Sequence, residues 1–176
     1  MSIERNKRIF VTFRALIWLI FFSSCSGPKG EKKSRDDQNN DLGSFLDSTF
    51  AAKKGMIDSV LACVIVPNTG CEGCISSTEQ MMKTFVSHRY PVNFLVTNIV
   101  SLKVLRLKLG DSILNNSHVV IDTSNVIYQR FTDLKQIYPA IYYTQTKNPK
   151  ERLVYIQPGD EDVMNNLVSL ATDEGK

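Results

Sequence analysis

The stretch VLACVIVPNTGCEGCI, residues 60–75, decides the fold of this chain. Its first seven residues are all apolar and rich in β-branched side chains, and Pro67 follows them. Such a run is typical of a strand that is covered on both faces in a central parallel sheet. Cys71 and Cys74 come next, and the apolar residues after them recur at helical spacing. We therefore predict a buried strand, a turn that carries two cysteines, and an amphipathic helix that ends near His88.

The next segment predicts a second strand and a second helix. Pro91 opens the apolar run VNFLVTNI, Ser101 is a suitable helix N-cap, and Gly110 is a suitable helix end. Every second residue from 105 to 109 is leucine, which would equally suit a strand. The interpretation of this second helix therefore stays open at the level of the sequence.

The last third of the chain alternates short apolar runs with polar turns. HVVID (118–122) is extended in character, and AIYYT (140–144) and RLVYIQ (152–157) read as two strands of a hairpin, with a turn at Asn148 and Pro149. A terminal helix should start near Asp160. The order of elements predicts an α/β domain with a central mixed sheet and helices on both faces.

The N-terminus resembles the signal peptide of bacterial lipoproteins. Four basic residues precede the apolar stretch ALIWLIFF (15–22), which is shorter than the roughly 20 residues of a membrane span. Ser23, Ser24 and Cys25 follow, as in a lipobox whose cysteine is lipidated. We predict a signal peptide at 1–24 and a lipid anchor on Cys25 that holds the protein in the cell envelope, facing the periplasm. The alternative is an ordinary secreted protein in which Cys25 has no special role.

The charge of the chain belongs largely to this signal. Residues 1–24 carry four of the 21 Lys and Arg and one of the 18 Asp and Glu, so the remainder has 17 of each and no net charge. A nucleic-acid-binding surface needs clustered surplus cations, and we expect none. Residues 25–40 lack aliphatic and aromatic side chains and predict a flexible tether. The folded domain then spans 41–176, with Asp41 capping a first helix that Gly55 ends.

Three roles for the cysteine pair are open. A structural zinc site needs about four ligands, whereas Cys63, His88 and His118 are isolated in sequence, so we predict no metal and no cofactor. A structural disulfide gains little from so short a loop. A redox pair places Cys71 at a helix start, where the dipole and free N–H groups favour a thiolate.

In the redox interpretation the two cysteines divide the chemistry. Cys71 is the exposed nucleophile, and Cys74, one turn into the helix, is the buried resolving cysteine. Glu72 and Gly73 lie between them and tune the thiol pKa, with Glu72 opposing the dipole through like charge.

At this point the chain resembles the thioredoxin family, from about Val60 to Ala171. The resemblance implies a three-layer thioredoxin-like fold in which Pro139 is a cis-proline beside the cysteines and Tyr138 and Pro139 shape the substrate groove. A trans proline that simply begins a strand is the alternative. The resemblance extends to membrane-tethered envelope thioredoxins and implies a monomer that exchanges disulfides with protein thiol or disulfide substrates and with an envelope redox donor.

Three positions depart from the family pattern. Gly70 stands where a tryptophan often precedes the first cysteine, Ile65 where a buried acid often lies, and Glu72-Gly73 where Gly-Pro is familiar. These departures predict a slow or specialised exchanger. A thioredoxin-fold binding or scaffolding lipoprotein without turnover is the second hypothesis.

Overall fold

A computed structural model describes residues 34–53, 60–146 and 152–173. The predicted signal peptide, Cys25, the tether up to residue 33, the helix end at Gly55 and the turn at Asn148 and Pro149 lie outside these ranges. None of the helices in these ranges combines the length and the apolar composition of a membrane span. The helices are α1 (Arg35–Ala51), α2 (Glu72–His88), α3 (Leu102–Leu109), α4 (Asp111–Leu114), α5 (Val126–Arg130) and α6 (Glu161–Asp173). The strands are β1 (Ala62–Pro67), β2 (Val92–Thr97), β3 (Val119–Ile121), β4 (Ala140–Tyr143) and β5 (Leu153–Tyr155).

The strands form one mixed sheet in the order β3-β2-β1-β4-β5. The strand β1 pairs in parallel with β2 and antiparallel with β4, so that Val64 lies between Phe94 and Ile141. The strands β2 and β3 are parallel, and β4 and β5 are antiparallel. All residues of β1 and β2 are buried. The prediction that the strand before the cysteines is central and covered on both faces is therefore confirmed.

Two apolar cores lie on opposite faces of this sheet. Val64 and Val66 of β1 pack into the core that also holds α2, α3, α4 and α6. Cys63 and Ile65 point to the other core, which α1 and α5 complete. Helices on both faces of a mixed sheet give the α/β architecture that the sequence predicts.

The first helix begins earlier than predicted. It starts at Arg35, not after an Asp41 cap, because Ser34 is its N-cap and the Ser34 Oγ accepts a hydrogen bond from the N–H of Asp36 at 3.3 Å. The buried hydroxyl of Tyr142 donates to the carbonyl of Asn39 at 3.1 Å and fastens this extra turn to the sheet. Residues 35–40, which we assigned to the tether, are thus helical.

The ambiguous leucine-rich segment is a helix. Ser101 caps α3, with its Oγ accepting from the N–H of Val104 at 3.4 Å, and Gly110 ends it with φ of 83°. The leucines at 105 and 109 are buried, whereas Leu107 is 79% exposed. Burial at i and i+4 is the helical pattern, so the helix prediction is confirmed and the strand alternative is wrong.

Candidate functional site

The cysteine pair lies where the central strand β1 gives way to α2. Cys71 is the N-cap residue of α2, and Cys74 lies in its first turn. The two form a disulfide with a Cα–Cα distance of 5.4 Å. Cys71 is half-buried, whereas Cys74 is only 7% exposed. This is the order of accessibility that a nucleophile and a resolving cysteine require.

The turn before Cys71 is held against the segment that leads into β4. The N–H of Cys71 donates to the carbonyl of Ile137 at 2.8 Å. Gly70 has φ of +145°, and a Cβ built on it would lie 2.3 Å from that same carbonyl oxygen. Glycine is therefore required at this position both for its backbone conformation and for the close approach of Ile137.

The residues between the cysteines lie at the surface. Glu72 and Gly73 are both exposed, and a Cβ added to Gly73 would meet no atom within 4 Å. Cys71 makes no side-chain capping hydrogen bond, so its side chain does not satisfy the first N–H groups of α2. The exposed Glu72 carboxylate is adjacent to Cys71 in the chain.

The structure corrects the predicted conformation of the proline. No peptide bond in the described ranges is cis, so the prediction of a cis Tyr138–Pro139 bond is wrong. Pro139 is buried at the start of β4, where its carbonyl accepts from the N–H of Ile156 at 2.8 Å, and a trans bond suffices to begin a strand. For an X–Pro bond the trans form is favoured by about 0.5–1 kcal/mol.

The two residues predicted to shape the substrate groove follow Ile137 in the segment before β4. Ile137 accepts the backbone hydrogen bond from Cys71 and is 53% exposed. Tyr138 is half-buried, and neither it nor Pro139 lines the cavity beside the disulfide. Their part in substrate binding stays a prediction.

A cavity of about 270 Å³ opens beside the disulfide, and we call it the disulfide cavity. Both cysteines, Gly73 and Ser77 form one wall, and the β5–α6 connection (156–160) together with Glu161 and Met164 of α6 forms the other. The position of this connection beside the cysteines was not predicted from the sequence. Its signal is the turn sequence QPGD directly before a helix, which marks a loop but does not tell which element the loop faces.

The disulfide cavity carries negative charge. Asp160 and Glu161 line it, Glu72 is adjacent to Cys71, and none of the lining residues is basic. The Asp160 carboxylate accepts from the N–H of Gln157 at 3.3 Å, which keeps it at the start of α6. Carboxylates near a disulfide raise the free energy of the thiolates formed on reduction, in opposition to the dipole of α2.

The other cysteine and histidine of interest lie away from this cavity. Cys63 is a free, buried thiol in the core on the opposite face, where burial, with a smaller effect from Asp47, raises its pKa. Burial has the opposite effect on His118 and lowers its pKa. The Nδ1 of His118 donates to Asn93 Oδ1 at 3.0 Å. These positions agree with the prediction that Cys63 is a core residue. The part of the chain that the structure describes has no group of three or more His, Cys, Asp or Glu side chains suited to a metal.

One buried acid was not anticipated. Glu79 of α2 is 4% exposed and pairs with Lys108 of α3 at 2.7 Å. The pair joins two neighbouring helices behind the cysteine turn. Its sequence signal is weak, because an acid in mid-helix more often faces solvent.

No protein-family model, curated protein or solved structure matches this chain.

Proposed function

We propose that this protein is a membrane-tethered thiol–disulfide oxidoreductase of the bacterial envelope. The observation that carries the proposal is the Cys71–Cys74 disulfide, with its more exposed sulfur at the N-terminus of α2 and its buried sulfur one turn further on. A helix N-terminus stabilises the thiolate that disulfide exchange requires.

The exchange needs no cofactor and balances within the two partners. A substrate thiolate attacks Sγ of Cys71, the Cys71–Cys74 bond breaks, and its electron pair leaves on Cys74, which takes up a proton. A second substrate thiolate then attacks the substrate sulfur of the mixed disulfide and releases Cys71 as a thiolate. The substrate leaves as a disulfide and the protein as a dithiol. The reverse sequence reduces a substrate disulfide.

The N-terminal sequence is the sole support for the proposed location in the cell envelope. A lipid on Cys25 would tether the domain to a membrane, and the oxidising periplasm would supply both protein substrates and a redox donor. The direction of electron flow follows from the reduction potential of the pair relative to those partners.

The decisive experiment is a redox titration of the full chain carrying Cys25→Ser, so that the anchor cysteine does not enter the thiol count. Samples equilibrated in glutathione and dithiothreitol buffers are alkylated and weighed by mass spectrometry. We expect one reversible two-electron transition that adds two alkyl groups, and Cys71→Ser should abolish it. A pair that keeps one state across the whole series would contradict the proposal.

A trapping experiment tests the substrate class. Cys74→Ser leaves Cys71 free to attack but removes the thiol that resolves the mixed disulfide. We expect covalent complexes with envelope proteins in cells, which reducing agents release, and none with Cys71→Ser/Cys74→Ser.

A binding or scaffolding protein without turnover is the second candidate. It is favoured by Ile65, which is 1% exposed and stands where the thioredoxin family often has a buried acid. In that case Cys71→Ser/Cys74→Ser would keep its partner and its cellular function.

A further inference from the structure

The disulfide cavity adjoins a second, uncharged groove between α2 and α6. This α2–α6 groove has a volume of about 620 Å³ and shares Ser77 and Met164 with the disulfide cavity. Met81, Phe85 and Val168 contribute its apolar lining. The two cavities therefore form one continuous surface that starts at the reactive sulfur and runs along the helices.

The two ends of this surface differ in chemistry. The disulfide end carries the carboxylates of Asp160 and Glu161, with Glu72 beside Cys71, and no basic side chain. The α2–α6 groove has no charged residue in its lining. Its methionines and Val168, which is 38% exposed, offer polarizable apolar contacts of the kind that accept varied side chains.

We propose that the substrate is an extended polypeptide whose reacting cysteine is flanked by Lys or Arg and whose nearby apolar side chain enters the α2–α6 groove. The inference rests on the proposed function and names its substrate class. Cations beside the substrate cysteine complement the carboxylates, and the shared wall at Ser77 and Met164 lets one chain contact both parts.

The expected selectivity follows from charge and distance. One pair of unit charges about 7 Å apart in water changes an encounter rate by about two- to threefold at low salt. Because lysine and glutamate differ by two unit charges, one carboxylate gives a preference of about four- to ninefold for lysine over glutamate, and three carboxylates acting together give a preference well above about tenfold. High salt should remove most of it, because the Debye length at 1 M is about 3 Å.

The test uses three synthetic dithiol peptides and the full chain carrying Cys25→Ser. The first has lysines beside its cysteines and a leucine four residues away, the second has glutamates in place of the lysines, and the third has serine in place of the leucine. Each rate of reduction of the protein disulfide is divided by the peptide's rate with 2-hydroxyethyl disulfide, a neutral reference that corrects for thiol pKa. Dithiothreitol is the non-peptide reductant.

Two matched pairs of variants assign the effects to the surface. Glu161→Gln should reduce the preference for lysine over glutamate about four- to ninefold, whereas Asp162→Asn, in the same helical turn but outside the cavity lining, should not. Val168→Glu should abolish the advantage of leucine over serine. Leu107→Glu, which adds the same charge at a more exposed position on α3, should leave it intact.

The outcomes separate this inference from the proposed function. If dithiothreitol reduces the disulfide but the three peptides react at equal normalised rates, the substrate class is wrong and the exchange chemistry stands. If neither dithiothreitol nor any peptide reduces the pair, the proposed function itself fails. A lysine preference that Asp162→Asn and Glu161→Gln reduce equally would overturn the assignment to the disulfide cavity.

Discussion

Replacing Gly70 with alanine should destabilise the protein and displace the cysteine turn. The new Cβ would lie 2.3 Å from the carbonyl oxygen and 2.7 Å from the Cα of Ile137, both of them backbone atoms. Neither atom can move by a rotamer change, so the segment before β4 must shift by most of an ångström. The shift would break the Cys71 N–H to Ile137 hydrogen bond, now 2.8 Å long.

Two energetic terms add at this position. An alanine held at φ of +145° carries backbone strain, which costs on the order of 1–3 kcal/mol. Loss of the hydrogen bond costs about 1 kcal/mol more. We expect the free energy of unfolding of Gly70→Ala to fall by about 3 kcal/mol in total.

Gly73→Ala is the matched control, three residues away in the same turn. Nothing lies within 4 Å of its Cβ position, and the residue is already in α2, so alanine there should gain about 0.5–1 kcal/mol. Urea unfolding of both oxidised variants, followed by circular dichroism at the helix band, measures the difference. Equal free energies of unfolding for Gly70→Ala and the unmodified protein would refute the steric argument.

Three further predictions concern groups around the site. Lys108→Met should cost about 1–3 kcal/mol in urea unfolding because it leaves the Glu79 carboxylate buried without its cation, and adding Glu79→Gln should recover much of the loss. Burial lowers the pKa of His118 in the folded state. As the pH falls, the unfolded state therefore takes up the proton at a higher pH than the folded state does. Stability should thus be full above the unfolded pKa and decrease as pH falls below about 6.5; urea unfolding at pH 7.5 and 5.5 should show this, and His118→Gln should reduce it. Asp122→Ala should cost about 1–2 kcal/mol in the same assay, because that carboxylate accepts from the N–H groups of Val126 and Ile127 at the start of α5.

The sequence predicted the fold where hydrophobic pattern and local capping agree. The buried strand β1, the helix α2 and the Ser101 cap of α3 depend on neighbours in the chain, and each lies where the pattern indicates. The predicted start of α1 was wrong because the extra turn of this helix is held by the hydroxyl of Tyr142, which is more than a hundred residues away in the chain. Composition alone made that polar segment resemble a tether.

The candidate site likewise has a part that local sequence predicts and a part that it does not. The cysteines and the two residues between them are adjacent in sequence, so a local motif identifies them, but the other wall of the disulfide cavity comes from the β5–α6 connection. A two-residue spacing reports nothing about which carboxylates a distant loop brings to the sulfur. Yet Asp160 and Glu161 add negative charge beside the disulfide, which opposes the reduced thiolates and, in our proposal, selects the charge of the partner. The proposed chemistry is thus predictable from local sequence, whereas the proposed selectivity depends on contacts that only the folded chain creates.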